Sequence, residues 1–122
     1  MSGFQVAEAS IGELRRALAD GRVTSVGLVE AYLRRIAAYD HGGPMLNAVV
    51  VSNPDTLAQA HASDARRARG ELLGPLDGIP YTAKDSYLAK GLTAAAGSYA
   101  FEHLVAQRDA FAIERLLSLI HI

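Results

Sequence analysis

The stretch GPLDGIPYTAKDSYLAKGL, residues 74–92, sets a lysine inside a largely apolar run between glycines and prolines. Its middle, residues 79–85, reads as a strand. Tyr81 and Thr82 favour extended backbone, while Pro80 weakens the assignment. Alternation then puts Tyr81, Ala83 and Asp85 on one side and Pro80, Thr82, Lys84 and Ser86 on the other. Lys84 would stand at the carboxyl end of a buried strand behind a glycine-rich loop, where α/β proteins commonly carry functional groups. Desolvation disfavours a charged ammonium, and a lysine kept neutral in this way accepts protons. The residues alone leave a second reading open, in which Lys84 pairs with Asp85 or Asp77 or reaches out to water.

Working outward, the run at residues 46–51 is short and valine-rich, the pattern of another buried strand. Between the two strands, Asn53 and Pro54 open an alanine-rich helix that runs to about Arg69 and is expected to lie on the sheet. Arg66, Arg67 and Arg69 fall at its end, where they offset the negative pole of the helix dipole. Upstream, Ser10 and Glu13 form a capping box for a helix over residues 11–19, closed by Gly21. Thr24 or Ser25 caps a second helix with Leu28, Val29, Tyr32, Leu33 and Ile36 at helical spacing. These two helices are expected to pack as a hairpin. Residues 92–98 are small and flexible, and from about Asp109 a last amphipathic pattern begins, with Phe111, Ile113, Leu116 and Leu117 near one face.

Strands separated by helical crossovers give an α/β fold class. Two strands do not close a stable sheet. The expected architecture is therefore an incomplete piece of a helix-flanked mixed sheet with an amino-terminal helical hairpin.

The 122 residues, half of them apolar and a fifth charged, suit one unit with a buried core. A net charge of −1 with interspersed signs argues against nucleic acid or an anionic membrane as partner. The chain has no cysteine, which removes thiolate chemistry and Cys-based metal sites. His41, His61, His103 and His121 lack ligand spacing, so neither a metal nor a cofactor is expected. No signal-peptide pattern or membrane-length apolar run occurs, and a cytoplasmic location is expected by default.

Several segments, taken in order, resemble the amidase signature family: VTSVGLVEAYLRRIAAYD, LNAVV, GPLDGIPYTAKDSYLAKGLTAAAGS, FE and RDAFAIERL. The specific element is Gly-Ile-Pro-x-x-x-Lys-Asp at residues 78–85, and the likeness extends over roughly residues 10–116. The resemblance implies hydrolysis of a carboxylic amide, a small-molecule substrate, through a nucleophilic serine, a second serine with a cis peptide bond, and a lysine. Lys84 is the catalytic residue it implies, accepting a proton through the bridging serine. The family's glycine- and serine-rich stretch, which supplies both serines and the oxyanion hole, lies well downstream of the lysine motif and has no counterpart here. Ser86 and Ser98 read as turn-forming or structural serines.

The chain is thus expected to be the amino-terminal part of an amidase domain, residues 1–122, truncated near Leu116, with residues 117–122 a non-native apolar tail. Alone it is expected to be inactive. The rival reading is a small non-catalytic interaction module that uses the last helix and tail to bind a partner. Amidases and the family's amidotransferase members are not separated by these residues.

Overall fold

A computed structural model of the chain describes residues 4–120, with side chains through residue 117. It is built on four α-helices: α1 (Ile11–Ala19), α2 (Ser25–Arg35), α3 (Thr56–Arg69) and α4 (Phe111–Ile120). A π-helical turn, Ile36–Asp40, extends α2, and a 3-10 turn, Tyr99–Phe101, interrupts the long connection before α4.

Local chemistry explains the helix limits. At α1 the Ser10 hydroxyl accepts from the Glu13 N–H, and the Glu13 carboxylate accepts from the Ser10 N–H at 2.8 Å. Those reciprocal bonds satisfy donors that a helix start leaves open. The Ser10 hydroxyl, donating to Glu13 Oε2 at 2.6 Å, and then the Ser10 N–H hold the Glu13 carboxyl below the usual carboxylate range. At α2 the Thr24 hydroxyl accepts from the Gly27 N–H at 3.0 Å. Asn53, two positions before the cap residue Asp55, uses its side-chain oxygen to accept from the Asp55 N–H and its carbonyl to accept from the Thr56 hydroxyl, folding a turn that launches α3. Gly70, at φ +71°, ends α3 in the left-handed conformation that glycine adopts without steric cost.

Leu14 and Leu18 of α1, Leu28 of α2 and Ile79 form the central apolar cluster, flanked by Phe4, Val6, Ala9, Val23 and Leu76. The broad helix-on-helix contact, however, is α2 against α3 and not α1 against α2, so the expected amino-terminal hairpin gives way to a pair drawn from the next connection. Small buried residues on α3, Ala60 and Ser63, let it approach closely. At the far end, Ile113 of α4 is buried, while Phe111 at its start is exposed. The expected tail falls partly within α4, which continues to Ile120; residues 121 and 122 lie outside the described residues.

The α/β expectation is overturned: among the described residues there is no β-strand, hence no mixed sheet and none for α3 to lie on. The reason lies in where the backbone donors go. In the valine-rich run, Leu46 and Asn47 donate to the carbonyls of Tyr39 and Asp40. Ala48 and Val49 donate to the buried Asp40 carboxylate, at 2.6 and 3.2 Å. One side chain at the end of the π-helical turn thereby takes bonds that a neighbouring strand would have supplied. Met45 and Asn47 also adopt positive φ, which breaks the extended path. Around the second run, Ile79 donates to Leu76 and Tyr87 to Lys84, both local turns. Side-chain composition signals compatibility with a pleated surface, but a strand exists only with a partner. The β-bridge found among the described residues is Thr93 with Val105, backed by bonds from Ala94 to Leu104 and from Ala106 to Leu92.

Candidate active site

The segment leading to Lys84 is fixed to the helices by a buried carboxylate. Asp77 has a fully buried side chain. It accepts from the Ser63 hydroxyl at 2.7 Å, from Arg66 Nη2 and Nε at 2.9 and 3.1 Å, and from the Leu73 N–H at 3.1 Å. Arg67 donates to the Asp77 carbonyl at 2.6 Å. Burial pushes the Asp77 carboxyl up, but the bonds from Arg66, Ser63 and Leu73 outweigh it and bring the group down to about 2. The same bond raises the already basic Arg66 guanidinium. The arginines at the end of α3 thus do more than offset a dipole: two of them grip the loop, and Arg69 pairs with Glu71.

Next along the chain, the Gly78 carbonyl accepts from the buried Ser25 hydroxyl at 2.9 Å. The N–H groups of Ser25 and Val26 in turn donate to Asp64 of α3, so the start of α2, the body of α3 and the loop are bonded to one another. Gly78 has φ +95°, and a Cβ there would sit 3.1 Å from the Ser63 hydroxyl oxygen. Alanine at 78 is therefore expected to cost about 2 kcal/mol, from backbone strain with added crowding. Urea unfolding measures this, and an unchanged midpoint would contradict the packing described.

Beyond Pro80 the chain emerges towards solvent. Tyr81 and Asp85 are partly buried while Thr82, Ala83, Lys84 and Ser86 are exposed; partly buried Pro80 and exposed Ala83 both break the alternation read from the sequence. Burial and the neighbouring Asp109 carboxylate push the Tyr81 phenol up. The Lys84 side chain is 74% exposed, and its Nζ pairs with Asp85 Oδ1 at 3.3 Å. Of the two readings the sequence leaves open, this is the second: the amine pairs with Asp85 and faces water, because the strand and covering sheet that would shield it are not formed. Ser86 lies in the turn closed by the Tyr87 N–H on the Lys84 carbonyl. Ser98 precedes the 3-10 turn and its carbonyl accepts from Phe101. Among the described residues, no three histidine or carboxylate side chains converge as a metal would require. Nor is any helix among them long and apolar enough to cross a membrane.

The Asp77 network was not visible in the sequence. Its one signal is an aspartate in a Gly-Pro loop closely following a helix that ends in arginines, a pattern that does not reveal which partner each charge takes.

A loop bolted to a helical pair and presenting Gly-Ile-Pro-x-x-x-Lys-Asp defines a class: the chain belongs to the Amidase family, whose model matches residues 27–119. It is 44% identical over 109 residues to a glutamyl-tRNA(Gln) amidotransferase subunit from Thioalkalivibrio sulfidiphilus, covering 88% of this chain and 22% of that protein. Its fold is similar to that of the native peptide amidase of Stenotrophomonas maltophilia, with TM-score 0.87 and 38% identity over 93% of this chain and 24% of that one. An amidase family protein from Bacillus anthracis gives TM-score 0.85 at 29% identity, over 94% of this chain and 23% of that one. The chain thus spans between a fifth and a quarter of the length of these relatives.

Proposed function

We propose that this chain is the amino-terminal, lysine-bearing part of an amide hydrolase, with Lys84 as the catalytic lysine of a serine, cis-serine and lysine mechanism. The observation that carries the reading is the family match over residues 27–119, which encloses the lysine motif at residues 78–85. In the reaction, Lys84 Nζ takes a proton through a bridging serine hydroxyl while the nucleophilic serine attacks the amide carbonyl. The proton returns to the departing amine, and water then releases the acyl group. The substrate class is a small carboxylic amide.

Neither serine nor an oxyanion hole can be assigned within these residues. The purified 122-residue chain is therefore expected to give no turnover of an aryl amide above the uncatalysed rate. Turnover that disappears on Lys84→Ala would prove that expectation wrong. The reading itself is tested by building residues 27–119 into the peptide amidase in place of its matching segment. The chimera is expected to hydrolyse amides, and Lys84→Ala is expected to lower its kcat by about 1,000-fold. An active Lys84→Ala chimera would overturn the assignment.

A further inference from the structure

Between Pro80 and Tyr87 the lysine-bearing segment is strung between two anchors. Downstream, the Leu88 carbonyl accepts from the Ala110 N–H at the start of α4, at 2.8 Å. Upstream stand the Asp77 carboxylate with its four bonds, the Asp77 carbonyl on Arg67, the Gly78 carbonyl on Ser25 and the buried side chain of Ile79. Within the segment, the Lys84–Asp85 ion pair and the turn from Tyr87 to Lys84 join only near neighbours in sequence, and partly buried Tyr81 faces Asp109 just before α4, so none of these ties it to α2 or α3. Its direction relative to α2 and α3 is therefore set at the upstream anchor, where the loop is bonded back onto α3. The group at that anchor is a buried charge, held from the helix side by Ser63 and Arg66 and from the loop side by the Leu73 N–H.

We infer that Asp77 is the positioning residue of Lys84: it aims residues 80–86 from the helical body while itself touching no reacting atom. This rests on the reading of Lys84 as the amidase lysine. A carboxylate bound on several sides suits the task, because several directed bonds fix its orientation as well as its position. An amide at 77 would keep the shape, but it would replace one acceptor oxygen by a donor facing the Arg66 guanidinium.

The chain has no native cysteine, so nitroxide labels on Ala62→Cys in α3 and Ala83→Cys beside the lysine report the geometry cleanly. Pulsed electron paramagnetic resonance on the full 122-residue chain is expected to give one narrow distance peak, and Asp77→Asn to lose it to a broad distribution while far-UV circular dichroism keeps its helix signal. If Asp77→Asn loses helix, Ser63→Ala, which removes one bond from the carboxylate, is expected to broaden the peak in a folded chain. A peak that keeps its width in the folded variant overturns the inference. In the peptide amidase chimera, Asp77→Asn is expected to lower kcat per titrated active site by about 100-fold with KM little changed. Unchanged kcat there would also overturn it. The two ideas fail separately: a chimera still active without Lys84 sinks the amidase reading and leaves the distance result standing, whereas an unaltered distance removes the role of Asp77 and leaves Lys84 in place.

Discussion

In the peptide amidase chimera, Lys84→Ala is expected to reduce kcat by about 1,000-fold, the scale of a positioned proton-transfer group. A group that moves a proton in the transition state contributes little to holding the ground state, so KM should change far less than kcat. Lys84→Arg separates this role from simple charge. A guanidinium remains protonated at any working pH and cannot accept the serine proton, so arginine should be nearly as damaging as alanine. Activity preserved in Lys84→Arg would mean that position 84 supplies a fixed positive charge and not a base. Steady-state kinetics of the three chimeras, normalised to titrated sites, decide between the two roles.

The second large effect is on stability. Asp77→Ala takes the buried acceptor from the Arg66 guanidinium, the Ser63 hydroxyl and the Leu73 N–H. Removing one partner of a buried charge pair is expected to cost about 4 kcal/mol, more than deleting most core methyl groups. In urea unfolding this should remove most of the cooperative transition of so small a chain. The native network also gives the protein an acid dependence with a definite sign. The Asp77 carboxyl is depressed from 3.8 in the open chain to about 2 in the fold. Its contribution, about 2 kcal/mol, is therefore complete above the open-chain value and is lost as pH falls through the folded one. Wild-type stability should drop between pH 4 and 2, whereas Asp77→Ala should lack this part of the drop.

Helix limits set by neighbouring residues were legible in the sequence. The Ser10 and Glu13 capping box predicts α1 over residues 11–19, and Ile11–Ala19 is what forms. Thr24 likewise starts α2, and the arginine-rich stretch closed by Gly70 ends α3 where expected. The two strands were misread because valine, tyrosine and alternation report fitness for a sheet, whereas the bonds at Ala48 and Val49 depend on a carboxylate eight or nine residues earlier. The candidate site divides in the same way. The motif around Lys84 was readable, and an exposed lysine paired with Asp85 stood as one of two open readings, but the grip of Ser63, Arg66 and Arg67 on Asp77 was not. Those contacts tie α3 to the loop that folds back on it, between groups ten to fourteen residues apart, a distance no local pattern encodes.

The most direct measurement is a carbon-detected NMR titration of the Asp77 carboxyl in the intact chain. If a buried, ionised Asp77 anchors the loop that carries Lys84, the group titrates near 2. A midpoint at or above the ordinary 3.8 would mean that the carboxylate is not held by Arg66 and Ser63, and the anchor on which the account depends would not exist.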